Sequence, residues 1–490
     1  MTMTDVDIVM QQSAAAFEEY KLVPAAGRAG FLEAIAEELE GLRESLVTTA
    51  GQETNLPPAR LNGELTRTTN QLKLFARLIR EGSWAEAVID TANPDSTPPR
   101  PDIRKVLLPV GPVVVFGASN FPFAFSTAGG DTASALAAGA TVVIKGHPAH
   151  EITSLKVFGA MQAAISKTKM PEHTVQHVSA PGNTIGKDLV THALTTGVGF
   201  TGSFQGGKAL FNYANQRETP IPVFAEMSSV NPVVFLPDTL EKNAASLAQT
   251  FGGSITLGMG QFCTNPGLLL AIRSKAQEQF AKLLGEAISQ CAPQKMLHAG
   301  IHQAYEQGRS RLLSQQGVTL VSESAQAPAE MEAYPALASV TAKDFLANHL
   351  LHEEVFGPSS LLIVCDNKEE LKTVLKSLKG QLTTTVVGTE ADVAANSDVI
   401  ALQTTLAGRV ILNAPPTGVE VCNAMVHGGP FPATTDARFT SVGTSAIKRW
   451  VRPVCFQGFT NAMLPDALKN ENPLGIWRLV NGEFTKDAIV

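Results

Sequence analysis

No cysteine framework organises this chain. Its five cysteines, at 263, 291, 365, 422 and 455, are odd in number and widely scattered. That excludes a disulfide scaffold and any zinc-ligand spacing, and it suits a reducing compartment, so a cytoplasmic location is expected. No metal centre is expected either. A cationic block is also missing. The net charge is −7, and nucleic-acid binding needs a clustered basic face, so no nucleic-acid partner is expected. The opening MTMTDVDIVMQQ has no basic region leading into an apolar one, so no signal peptide is expected. The stretch Val106–Gly130 carries no charge, yet Pro109, Pro112, Pro122, four glycines and the Ser119–Asn120 pair interrupt it. It reads as short buried strands and turns rather than a membrane span. Internal repeats and low-complexity tracts are absent.

What is present is a long, ordinary globular composition: 490 residues, 44% apolar and 17% charged. Two or three domains are expected at that length. In residues 5–82, Phe31, Ile35, Leu39, Leu42 and Leu46 recur at spacings of three and four, which predicts helices. TANPDSTPPRPDIR, residues 91–104, is a Pro-rich connector. Then β-branched runs such as VGPVVVFGA, TVVIK and GVGF alternate with Ala-rich helical segments. This predicts an α/β fold with a parallel sheet covered on both faces. A second α/β series begins after Met227. The segment SAIKRWVRPVCFQ begins helical and turns into a strand with the character of a sheet edge.

Several residues carry chemistry under one reading and plain structure under another. Asn120 lies in a turn just past a buried strand, where open α/β sheets bind ligands. It caps a helix, closes the turn, or donates to an oxyanion. Lys145 ends a strand, as a solvated charge or as a ribose or phosphate ligand. Gly202 allows a close turn and Ser203 is an N-cap candidate; such a helix start serves capping alone or holds a pyrophosphate. Glu226 near the end of an apolar strand is costly unless paired, hydrated or used. It is a buried ion pair or a general base. Glu353 and Glu354 beside Phe356 form a solvated loop or a ribose contact. Cys263, in GQFCTNPG, is a buried core cysteine or a displayed thiol.

Taken together, Asn120 in SNFP, Lys145, FTGS at 200–203, Glu226 before NP, Cys263 in GQFCTNPG, EEVFGP at 353–358 and GGP at 428–430 resemble the aldehyde dehydrogenase superfamily in order and approximate spacing. The resemblance runs from about residue 20 to the C-terminus. HGGPFPATTDARFTSVG, FPFAFSTAGGDTASALAAG and VRPVCFQ are most similar to the bacterial NADP-dependent α-ketoglutaric semialdehyde (2,5-dioxovalerate) dehydrogenases. They are also similar to a long-chain fatty aldehyde dehydrogenase of luminous bacteria. The resemblance implies a Rossmann-type cofactor domain (1–90 and 111–226), a catalytic domain (227–444) and oligomerisation segments (91–110 and 445–490) that build a homodimer or a tetramer. Two departures stand out. Ser119 replaces a frequent Trp, and Pro148 replaces the frequent Glu that holds both adenosine ribose hydroxyls. Loss of that carboxylate favours NADP, with NAD as the possible second cofactor.

By the same resemblance, Cys263 is the nucleophile that forms a thiohemiacetal with an aldehyde, and Asn120 with the Cys263 N–H stabilises its oxyanion. Glu226 activates the water that hydrolyses the thioester. Glu354 and Phe356 hold the nicotinamide ribose side, and Lys145 and Ser203 the adenosine phosphates. A nucleotide-binding protein without turnover is a rival that the set Asn120, Glu226 and Cys263 argues against, and a CoA-acylating enzyme is one that the hydrolytic Glu226 argues against. A cysteine hydrolase would need a histidine on Cys263, and no sequence feature points to one. Phe121, Phe125 and the loop from Asn413 to His427 are candidate tunnel walls. A short ω-oxo acid is the expected substrate and a fatty aldehyde the alternative; the acid's carboxylate needs an Arg, a Lys or several backbone donors, and the sequence singles out none.

Overall fold

The computed structural model describes residues 3–179 and 184–489. Its first sheet holds Val113–Phe116, Val142–Lys145, Val175–Val178, Gly197–Thr201 and Val223–Glu226, and every pairing is parallel. Val113, Val114, Val142, Val143 and Ile144 are buried because helices cover both faces, which is why these strands show no polar alternation. The β-branched run TVQHVSA, residues 174–180, reads as another such strand; the strand spans Val175–Val178, and Ala180 lies outside the described residues. Val113–Phe116 sits at the middle. The next two strands are added on one side of it and the last two on the other. This reversal opens a crevice at the carboxyl ends of Val113–Phe116 and Gly197–Thr201, the usual ligand position in such sheets.

Four helices from Met3 to Glu81 precede the sheet. All four join it in one core through Tyr20, Phe31, Ile35, Leu46, Leu65, Phe75, Val113, Val142 and Trp450. The helix Pro58–Glu81 starts with proline at its first turn and stops at Gly82 in the left-handed region, φ 86°. A Cβ at Gly82 would lie 2.2 Å from the Ile476 side chain, so the stop also needs the missing side chain for space. Arg60, Glu64 and Arg67 share one face of this helix through their spacing of four and three.

The second sheet, residues 233–412, has seven strands in the spatial order Thr319–Glu323, Ala336–Thr341, Ser359–Cys365, Leu268–Ile272, Val233–Phe235, Gln381–Val387 and Ala407–Leu412. Only the first pair is antiparallel. A third sheet gathers the connector region and the C-terminal segment: Val451–Gln457, Ile103–Pro109, Val88–Asp90, Arg478–Val480 and Glu483–Thr485. Residues 91–102 link two antiparallel strands there. Val451–Gln457 follows the 3-10 turn Thr444–Trp450 and forms an edge, where Pro453 costs no interior ladder bond. Among the described residues, no helix is long and apolar enough to cross a membrane.

Candidate active site

Cys263 follows a backbone coil that few sequences permit. Gly258, Met259 and Gly260 all have positive φ, at 53°, 54° and 60°. A Cβ on Gly260 would lie 2.2 Å from the Gly357 carbonyl oxygen, so this turn packs directly on the loop that carries Glu354 and Phe356. Below it, Asn231 Nδ2 donates to the carbonyls of Cys263 and Asn265, at 2.9 Å each. The thiol is thereby fixed by backbone contacts on both sides.

Glu226 ends the last strand of the first sheet and is buried. Asn120 arrives from the turn after Val113–Phe116. Its Nδ2 donates to the Gln261 carbonyl at 3.2 Å, two residues before Cys263, and its own carbonyl accepts from Arg60 Nη2 at 2.8 Å. The amide is thus directed at the cysteine turn and not at a helix end. The structure therefore brings Asn120, Glu226 and Cys263 into one centre.

It also brings a residue whose role the motif reading left out. The buried His427 has its Nε2 3.4 Å from Cys263 Sγ and 2.9 Å from Glu226 Oε1, while Ser441 Oγ donates to Glu226 Oε2 at 2.8 Å. The only sequence signal was its place at the end of the loop taken as a tunnel wall. Burial alone would raise the Glu226 carboxyl's pKa; the His427 and Ser441 contacts outweigh it and hold the carboxyl below its ordinary value. The Cys263 thiol goes the other way. Burial, then the negative charges of Glu226 and Glu354, push it well above the ordinary thiol range, with Arg409 opposing weakly. Thiol, imidazole and carboxylate lie within 4.8 Å of one another, a spacing a metal ion could bridge. Glu226 already has a hydrogen-bond partner on each oxygen.

Glu354 and Phe356 line a crevice with Gly260 and Phe262. Burial raises the Glu354 carboxyl to about 8, against the Ser228 hydroxyl and the Ser229 N–H. Its neighbour Glu353 points elsewhere, pairing with Arg311 at 2.7 Å. The aromatics expected as tunnel walls lie together: Phe121 and Phe125 have ring centres 5.2 Å apart, Phe121 and Phe262 5.8 Å, and Phe125 and His427 6.2 Å.

Lys145, Pro148, Gly202 and Ser203 collect at the carboxyl ends of the first sheet. Lys145 Nζ donates to the Gly146 carbonyl at 3.0 Å; burial lowers its pKa, with Glu151 opposing. Ser203 caps the helix Phe204–Asn215 by accepting from the Gly206 N–H at 3.2 Å. A Cβ at Gly202 would lie 2.7 Å from the Phe200 ring. Pro148 opens the 3-10 turn 148–150, and the next carboxylate is Glu151, which accepts from Ser179. A cation, an open helix start and a residue without a side chain at the mouth of a parallel sheet fit a dinucleotide phosphate.

A nucleotide-type parallel sheet, joined to a second sheet whose turn presents a thiol beside a carboxylate and an amide, defines a cysteine-centred α/β dehydrogenase. The chain belongs to the aldehyde dehydrogenase family, whose profile matches residues 1–430. It is 48% identical to the α-ketoglutaric semialdehyde dehydrogenase 2 of Azospirillum brasilense over 480 residues, 98% of this chain and 91% of that one. It is 47% identical to the α-ketoglutaric semialdehyde dehydrogenase of Acinetobacter baylyi over 489 residues, 99% of this chain and 92% of the relative. In fold it matches the betaine aldehyde dehydrogenase of Staphylococcus aureus in complex with NAD+, with TM-score 0.79 and 19% identity over 94% of this chain and 89% of that one.

Proposed function

We propose that this enzyme oxidises α-ketoglutaric semialdehyde to 2-oxoglutarate with NADP, using Cys263 as nucleophile. The observation that carries the catalytic reading is the approach of Glu226 to Cys263 Sγ, with the Asn120 amide held on the Gln261 carbonyl of the same turn. The named relatives support the substrate. An aldehyde has no leaving group, so Sγ, its proton released to solvent, first adds to the carbonyl carbon. The resulting oxyanion is met by the Asn120 amide and the Cys263 N–H. When bound, the nicotinamide supplies the hydride acceptor. The thioester left on Sγ is opened by a water that gives its proton to Glu226, held in place by His427 and Ser441.

Lys145, Gly202 and Ser203 would hold the phosphates, and Glu354 with Phe356 the nicotinamide side. Pro148 removes a carboxylate that would repel a 2′-phosphate, which supports NADP over NAD. The exposed edge Val451–Gln457 supports a homodimer, and the scattered free cysteines support a cytoplasmic location.

The Cys263–His427 contact invites a hydrolase reading. In a hydrolytic triad, nucleophile and acid occupy opposite ring nitrogens. Here both meet Nε2, and Nδ1 is buried without a partner. His427 therefore does not relay a proton from Cys263 to Glu226, which favours the dehydrogenase. The test is kcat/KM for α-ketoglutaric semialdehyde, succinic semialdehyde, hexanal and dodecanal with each cofactor. A tenfold preference for hexanal or dodecanal overturns the substrate, and a preference for NAD overturns the Pro148 argument.

A further inference from the structure

A five-carbon ω-oxo acid brings a carboxylate about 5 Å from its aldehyde carbon in among the rings of Phe121, Phe125 and Phe262. That charge needs a partner with free donors. Three arginines come near the centre: Arg409 has both terminal nitrogens bonded, and Arg60 has one bonded and one, Nη1, without a partner. Arg409 donates Nη1 to the Gly418 carbonyl at 2.9 Å and Nη2 to the Pro416 carbonyl at 2.7 Å. Arg60 donates Nη2 to the Asn120 carbonyl and lies between the Phe121 and Phe262 rings, 5.1 and 4.6 Å from their centres.

Arg67 differs. Both of its terminal nitrogens, Nη1 and Nη2, are buried and have no hydrogen-bond partner. Its guanidinium lies 5.1 Å from the centre of Phe125, the ring that packs towards His427. Glu64, one turn earlier on the helix, makes no close ion pair with it: Glu64 Oε1 accepts from the N–H groups of Phe123 and Ala124, at 2.8 and 3.0 Å, and Oε2, also buried, has no hydrogen-bond partner. Burial lowers the Arg67 pKa, while the charges of Glu64, Cys263, Glu226 and Glu420 act against that. A guanidinium stays protonated in a protein, so this is a buried fork of donors without an acceptor.

We infer that Arg67 is the specificity determinant that anchors the substrate's carboxylate, its two free η-nitrogens receiving the anion behind Phe125 while the aldehyde end reaches Cys263. The inference rests on the proposed ω-oxo acid substrate. Arg60 keeps a positioning part, since its one bonded nitrogen steadies Asn120. The arrangement also explains how aromatic walls accept a charged substrate. The rings guide the carbon chain, and a planar fork binds a carboxylate with two parallel bonds.

The test compares wild type, Arg67→Met and Arg67→Lys on α-ketoglutaric semialdehyde and on pentanal, which has the same number of carbons and no carboxylate. For Arg67→Met, the ratio of the two kcat/KM values is expected to fall about a hundredfold or more, mainly through KM for the acid. The inhibition constant of glutarate should rise in parallel, a readout independent of turnover. Arg67→Lys keeps charge without the fork; it should regain part of the ratio, and it serves alone should the Met variant not fold. A ratio unchanged in the variants, with wild type still preferring the acid, overturns the Arg67 assignment only. Equal losses on both substrates do the same. A wild type with no preference for the acid overturns the substrate reading itself, and the anchor with it.

Discussion

Replacing Glu226 with glutamine removes one negative charge while keeping shape. Two opposite effects on one cysteine are expected. In the native centre the Glu226 charge, after burial, is the largest influence holding the Cys263 thiol protonated. At 4.8 Å, the outer limit of the trio's separations, two unit charges repel by about 3.5 kcal/mol at an effective dielectric constant of roughly 20. Cys263 is half-buried, so solvent screens part of this, and about 1.4 kcal/mol, or a tenfold gain in thiolate, is a conservative expectation. Iodoacetamide should therefore alkylate Cys263 in Glu226→Gln about ten times faster at neutral pH. The sign follows from the raised thiol pKa: the native thiol is mostly protonated at neutral pH, and losing the neighbouring anion moves its titration to lower pH. Hydrolysis should suffer in the same variant. Without the base, steady-state turnover is expected to fall by about 10²–10⁴. Stopped-flow absorbance should then show a burst of reduced cofactor followed by a stall. Slower alkylation together with loss of the burst would refute the reasoning, because Glu226 would then be needed to generate the thiolate.

Other outcomes follow from the same contacts. Cys263→Ala should abolish oxidation while cofactor binding, read by fluorescence titration, persists; activity within tenfold of wild type sinks the nucleophile. Asn120→Ala should lower kcat by about 10²–10³, the cost of one oxyanion donor, and a loss of only a few-fold limits Asn120 to its bond with Gln261. His427→Asn removes the partner that keeps the Glu226 pKa low despite burial, so that pKa should rise and the acid limb of the hydrolysis pH profile move to higher pH; an unmoved limb refutes this coupling. Pro148→Glu should shift the NADP to NAD ratio of kcat/KM towards NAD, and no shift would separate position 148 from the 2′-phosphate.

Local pattern made much of this protein readable in its sequence. Unbroken β-branched runs such as 113–116 and 142–145 announced strands buried on both faces, because a parallel sheet leaves no wet side to write alternation. Gly202 and Ser203 announced a turn and a cap by their own backbone chemistry, and the cap is formed as read. GQFCTNPG by itself left Cys263 as a core cysteine or a displayed thiol, and the family resemblance decided between them; the positive φ values of residues 258–260 were not announced by the motif. Side-chain meetings across long sequence separations were not legible. His427 lies 164 residues from Cys263 and 201 from Glu226, and no period or spacing encodes that approach. Arg67 sits on a helix whose sequence gives its exposure no special mark. Only the packing of that helix against the 121–125 turn buries its guanidinium and leaves it without an acceptor. Backbone preference is a property of neighbours in the chain, whereas the charge state and partners of a buried group depend on what the completed fold excludes from water.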